Sequence, residues 1–260
     1  MTVPGRRDSL ARMTLHALWC HPRSVSTAFE RIMRERGDLT VLHEPFMYDY
    51  YLRPGNRTFE HFEPEPGHPT DYAGIRDMIL DQSRKRPVFF KDMAYYVQHA
   101  LPDDPGFMAA MSHAILIRDP AESILSYQRK DPGFTCEEVG HEALWRLYEG
   151  LRAAGSTPVV IRSAALRTDP AGQMARYWQA VGLEDRPEAL SWDNEVPEGW
   201  KSVEAWHSEV LSSSGIKPAE DRDYRAELAA LGAPFTEYDA HHRPFYDLLC
   251  KAADNDAHQK

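Results

Sequence analysis

Cysteine is scarce in this 260-residue chain, and its three cysteines, Cys20, Cys136 and Cys250, lie far apart. An odd, scattered set cannot complete a disulfide framework, which points to a reducing compartment. Zinc signatures are missing too. Neither C-x-x-C nor H-E-x-x-H occurs, and His241-His242 and His141-Glu142 lack zinc spacing, so no metal is expected. No run approaches the roughly 18 apolar residues of a membrane helix. Arg6-Arg7 before Ser9-Leu10 resembles the start of a twin-arginine signal, but the apolar stretch at 15–19 is too short for one. The expectation is a soluble, cytoplasmic protein with no membrane partner. Positive charge is also in deficit: 30 Lys and Arg against 40 Asp and Glu give a net charge of −10. That balance argues against nucleic acid as a partner, so any anion site has to be local.

Enough remains to build a core, since 42% of the residues are hydrophobic and 27% charged, which excludes a disordered or fibrous chain. Residues 1–13 read as a basic, poorly ordered leader and 14–260 as one domain. Short buried runs at 15–19, 39–42, 88–90, 113–117 and 159–161 read as strands, separated by helical spacings such as Phe29, Ile32, Met33 and Met174, Trp178, Val181. Strands alternating with helices predict an α/β fold of three layers, a central parallel sheet flanked by helices. Two stretches break the rhythm. Residues 46–72, rich in aromatics and prolines, and 191–219, ending in Ser212-Ser213-Ser214-Gly215, read as lid loops over a cleft.

Two segments carry candidate chemistry. His21-Pro22-Arg23-Ser24-Val25-Ser26-Thr27 lies between a strand and a helix, where unpaired N–H groups and the helix dipole favour an anion. Arg23 adds charge, the hydroxyls add donors, and Ser24, Ser26 and Thr27 are suitable cap residues. The glycines and lysine of a Walker loop are absent. Read alone, the segment is also compatible with a capped helix carrying a surface arginine. The second segment, Arg118-Asp119-Pro120-Ala121-Glu122-Ser123-Ile124-Leu125-Ser126-Tyr127, again follows a strand. Asp119 at N-cap, Pro120 at N1 and Glu122 at N3 form a capping-box arrangement. Arg118 then stands at the strand's carboxyl edge, where open α/β sheets bind ligands, with Ser126 two turns on. A structural ion pair is the alternative there. Together the segments predict two separate positively lined pockets, one around Arg23 and one around Arg118.

The order P-R-S-x-S-T after the first strand, E-P after the second and R-D-P-x-x-S-x-x-S-Y after a later one resembles sulfotransferases that use 3′-phosphoadenosine 5′-phosphosulfate, bacterial and carbohydrate-type members above all. The resemblance spans roughly residues 15–210 and implies their P-loop-like fold. It implies that Arg23, Ser24, Val25, Ser26 and Thr27 form the loop for the 5′-phosphosulfate, and that Arg118 and Ser126 hold the 3′-phosphate. Gly199-Trp200-Lys201 is similar to the family's late G-x-W-K loop, which closes on the nucleotide. Lys91 matches the strand-three lysine that meets the sulfuryl oxygens, but Met93 stands where the cytosolic branch has a histidine base. Glu44, in His43-Glu44-Pro45, resembles the glutamate that acts as proton acceptor in other relatives, with His43 as its rival and a role pairing Arg23 as its structural alternative. Val25 replaces a frequent glycine, and Arg162-Ser163-Ala164 replaces a tyrosine-acid pair, which leaves the adenine contacts open.

The implied activity is sulfuryl transfer to a hydroxyl or amine of a small-molecule acceptor. Such transfer needs positioning and cations more than a metal. A buried Glu44 with a raised pKa would suit the base. The rival readings are a P-loop-type kinase, which needs ATP and Mg²⁺, and a silent nucleotide-binding module.

Overall fold

Five short apolar runs set the pattern of burial along the chain, complete at Leu15–Cys20 and Val88–Met93 and partial at Thr40–His43. In a computed structural model, which describes residues 14–57, 62, 64–193, 195–197, 200 and 210–258, those runs are the strands of one sheet. In chain order the elements are β1 (Leu15–Cys20), α1 (Ser26–Glu35), β2 (Thr40–His43), α2 (Met47–Tyr51), α3 (Tyr72–Ser83), β3 (Val88–Met93), α4 (Ala94–Val97), α5 (Pro105–Ala109) and β4 (Ser112–Ile117). Then come α6 (Pro120–Gln128), α7 (His141–Ala153), β5 (Val159–Arg162), α8 (Ser163–Thr168), α9 (Pro170–Val181), α10 (Tyr224–Leu231) and α11 (Phe235–His258).

The sheet is wholly parallel in the order β2-β3-β1-β4-β5. Both faces are covered, as a parallel sheet requires, and β1 and β3 are buried at every position. The chain leaves β1 toward one edge and later crosses to β4 on its other side. The carboxyl ends of β1, β3 and β4 therefore meet at a topological switch point. Trp19, Phe29, Phe89, Phe90, Tyr177 and Trp178 fill the main core, and a smaller cluster around Tyr127, Phe134 and Leu228 joins α6 to α10 and α11.

The first strand and the helical spacings match the sequence reading, while β3 runs three residues past the apolar stretch and takes Lys91 into the sheet. Helix α1 ends where Gly37 adopts φ 69, as its stop position suggests. Within 46–72, Met47–Tyr51 is helical, Phe46 is fully buried, and Tyr48 stacks on His68 at 3.6 Å, while most described residues of 52–71 are exposed. Residues 1–13, 58–61, 63, 194, 198–199 and 201–209, which include the expected leader and both Gly199 and Lys201, lie outside the described residues. Among the described residues no helix is long and apolar enough to cross a membrane.

Candidate active site

Leaving β1, the backbone turns sharply. Arg23 (φ 61), Val25 (φ 75) and, at the end of β2, Glu44 (φ 41) are the non-glycine residues with positive φ among those described. A β-branched residue in the left-handed region is an outlier, and such backbone, costing about 1–3 kcal/mol, concentrates at functional sites. All three border one cavity of about 400 Å³ at the carboxyl edge of the sheet, a volume within the range of small-ligand sites. Val25 is the N-cap of α1 and no side chain caps that helix, so the cap expected of Ser24, Ser26 or Thr27 is not formed. The left-handed turn takes its place. Val25, Ser26, Thr27 and Ala28 face the cavity, at the helix end where first-turn amides have no intrahelical acceptor. Ser24 is fully buried beside them, and its Oγ has no hydrogen-bond partner.

The charge on this wall inverts that of the whole chain. Among the described residues Arg23, Lys91, Arg118, Arg129, Arg167, Lys217 and Arg222 border it, against Glu44 and Glu220. Arg23 Nε donates to Ser126 Oγ at 2.9 Å, and Arg118 Nη1 donates to the Arg23 carbonyl at 2.7 Å. The two expected pockets are therefore not separate: the segments after β1 and β4 are joined into one wall, because β1 and β4 are adjacent strands. Glu122 does not close a capping box. Its Oε1 accepts from Arg118 at 2.6 Å and Arg167 at 2.7 Å, while Asp119 caps α6 through the Ala121 amide at 2.9 Å.

Two buried imidazoles hold the Arg118 main chain. His21 Nδ1 bonds the Pro22 carbonyl, leaving Nε2 to accept the Arg118 N–H at 3.0 Å, and His141 Nε2 donates to the Arg118 carbonyl at 2.8 Å. Their rings lie 4.0 Å apart. Burial depresses both, His21 well below its ordinary value and His141 to about 3, so both stay neutral.

At the end of β2 and β3 a second cluster forms, set by the register that pairs His43 with Lys91. The Lys91 ammonium, buried to 1% exposure, donates to Glu44 Oε1, and Tyr96 OH donates to Glu44 Oε2 at 3.2 Å. His43 Nδ1 lies 2.7 Å from Glu30 Oε2, and its Nε2 is 3.8 Å from Glu44. Burial opposes ionisation of Glu44, but Lys91 and then His43 outweigh it and hold the carboxyl below its ordinary value. The raised pKa expected of Glu44 is thus corrected: the lysine brought beside it by the strand pairing reverses the effect of burial. Nor does Glu44 pair with Arg23. For Lys91, burial is opposed by Glu44 and Glu30, which raise it. The adjacent Asp92 is pushed well above its ordinary value by burial and by Glu44, which leaves it neutral.

Trp200 sits behind this cluster rather than on the cavity wall, with Nε1 donating to Glu30 Oε1 at 2.7 Å. Sequence reasoning missed Glu30, which binds Arg34, His43 and Trp200 from inside α1, because an acid four residues before an arginine reads as an ordinary surface pair. It also missed Tyr96, His21, His141 and Arg167. For His21 the available signal was its place beside the phosphate-type turn.

The family described as a sulfotransferase domain matches residues 13–235. The sulfotransferase domain of the Synechococcus PCC 7002 olefin synthase superposes with a TM-score of 0.56 at 15% identity, over 91% of this chain and 94% of that one, which is a likeness of fold. In Arabidopsis thaliana, branched-chain-amino-acid aminotransferase-like protein 2 is 25% identical over 78% of this chain and protein 1 is 24% identical over 89%. The chain spans only 36% and 40% of those two proteins.

Proposed function

The chain belongs to the sulfotransferase-domain family, and from that membership we propose that it moves a sulfuryl group from 3′-phosphoadenosine 5′-phosphosulfate to a hydroxyl or amine of a small molecule. The observation that carries the reading is the cavity wall, which among the described residues sets seven cationic side chains against two acids in a chain of net charge −10, with Glu44 and Lys91 on the same wall. An anionic nucleotide fits that donor set, and the buried, unpartnered Ser24 hydroxyl adds a donor next to the turn.

In this reading Arg23, the first-turn amides of α1 and the hydroxyls of Ser24, Ser26 and Thr27 hold the 5′-phosphosulfate end. Arg118 and Ser126 hold the 3′-phosphate, and Trp200 acts from behind the wall through Glu30. The donor, when bound, supplies a sulfuryl group already activated by its anhydride linkage. Lys91 neutralises the charge that grows on the transferring oxygens, where a fixed cation in a dry site is most effective. Glu44 accepts the acceptor's proton. It is ionised from the outset, and it becomes a stronger base as Lys91 turns from it toward the developing charge. Met47, Tyr51, Met93, Tyr95 and Tyr96 border the cavity near this pair and suit the apolar body of an acceptor.

The test is calorimetric binding of adenosine 3′,5′-bisphosphate, followed by labelled sulfuryl transfer over a panel of alcohols and amines. Binding with transfer is expected. Absence of bisphosphate binding, or transfer supported by ATP and Mg²⁺ instead, would overturn the reading.

A further inference from the structure

Behind the Arg118 wall, next to His141, the fold assembles a donor set whose members are far apart in sequence. Cys136 lies before α7, Glu142 is in the first turn of α7, and His241 and His242 are on α11. The ligand atoms of Cys136, His241 and His242 all lie within 4.8 Å of one another. His242 Nε2 is 3.7 Å from Cys136 Sγ. Tetrahedral zinc with bonds of about 2.1 Å to nitrogen and 2.3 Å to sulfur needs about 3.6 Å between them. Glu142 stands outside that set: its Oε2 is 2.8 Å from His241 Nε2 and its Oε1 accepts from Arg146 at 2.5 Å, so it orients the ring rather than binding the ion. We propose that Cys136, His241 and His242 form a binding site for one divalent metal ion of zinc's chemistry, with the fourth position open to solvent, fastening the C-terminal helix to the turn before α7.

Thiolate and imidazole donors suit a borderline ion rather than calcium or magnesium, which require oxygen. His242 is buried at 1% exposure, which holds its ring against Cys136. His241 is about half exposed, which gives the ion an entry path. Coordination releases the thiol proton and shifts the His242 ring proton to Nδ1. It gives up the 2.7 Å bond to the Cys136 carbonyl and the long 3.4 Å one from the Glu142 amide, so affinity about micromolar is expected rather than tighter. The site is independent of sulfuryl transfer but bears on the anion wall. The His242 ring lies 5.8 Å from that of His141, which holds the Arg118 carbonyl, and Arg243, the next residue on α11, pairs with Asp119 at 2.5 Å.

The experiment titrates Co²⁺ into the reduced full chain, carrying no polyhistidine tag, and follows the thiolate-to-metal charge-transfer band. Zn²⁺ is then added while the melting temperature is recorded. One equivalent should produce the band, Cys136→Ser should abolish it, and His241→Ala should weaken binding at least about tenfold. Zn²⁺ should raise the melting temperature by mass action only when these ligands are present. Both substituted side chains are partly exposed, so the variants fold. No band, a band that survives Cys136→Ser, or unchanged affinity in His241→Ala would overturn the proposal.

Discussion

Replacing Glu44 by glutamine keeps the shape of the side chain and removes its charge, which isolates what the ion pair with Lys91 does. Lys91 is exposed by only 1% and the Glu44 side chain by 9%, so solvent cannot take over the lost partner. Breaking a buried pair by deleting one charge costs about 3–5 kcal/mol. Glu30 remains 3.9 Å from the ammonium, and the glutamine carbonyl still accepts from Tyr96, which places Glu44→Gln near the lower figure. For a chain of this size about 3 kcal/mol lowers the melting temperature by about 6–12 °C. Lys91→Met leaves the carboxylate buried in turn, so the double variant should be less destabilised than the sum of the singles, by at least about 1 kcal/mol of coupling. Urea unfolding at pH 7.5 measures all four species. Glu44→Gln should also lower transfer about 10²- to 10⁴-fold while leaving bisphosphate binding intact. A Glu44→Gln protein as stable as the parent, or singles whose effects simply add, would refute the reasoning.

His21→Ala leaves the Arg118 amide without its buried acceptor, a loss of about 1–3 kcal/mol, and bisphosphate affinity measured by calorimetry should fall about tenfold. Val25→Gly removes a β-branched side chain from φ 75, so thermal unfolding should show a protein as stable as the parent or more stable by up to about 1 kcal/mol. A fall of more than that would show that Val25 packing outweighs its backbone strain. Acid should unfold the protein early. Burial lowers His16, His113 and His242 to about 4 and His141 to about 3, all below the ordinary 6.5. The unfolded chain therefore binds protons that the folded chain refuses, and stability declines as pH drops through 6.5 toward those values. At one pH unit below 6.5 each group removes about 1.4 kcal/mol, so near-UV circular dichroism should show cooperative loss of structure between about pH 4.5 and 5.5. A signal unchanged at pH 4 would contradict this.

The fold was legible because its signals are local. Each strand is a short run such as Leu15–Cys20 that reads as buried without reference to its neighbours, and the Asp119-Pro120 helix start specifies itself. What sequence could not supply is lateral order. That β1 lies between β3 and β4 decides that Arg23 meets Ser126 and Arg118 directly, and that β2 pairs with β3 decides that Lys91 faces Glu44. Both alter the expected electrostatics: one wall instead of two pockets, and a carboxyl lowered instead of raised. Glu30, Tyr96 and His141 were invisible for the same reason, since each acquires its role from a partner distant in sequence.

The contrast between a body carrying net charge −10 and a mouth dense in guanidinium groups governs how an anion arrives as well as how it stays. At long range the molecule repels a nucleotide phosphate, and only within about 10 Å at 0.1 M ionic strength does the local attraction prevail. Added salt should therefore hasten capture by screening the outer repulsion while shortening residence by screening the inner attraction. The on-rate and the off-rate should rise together, and occupancy should pass through a maximum at moderate ionic strength.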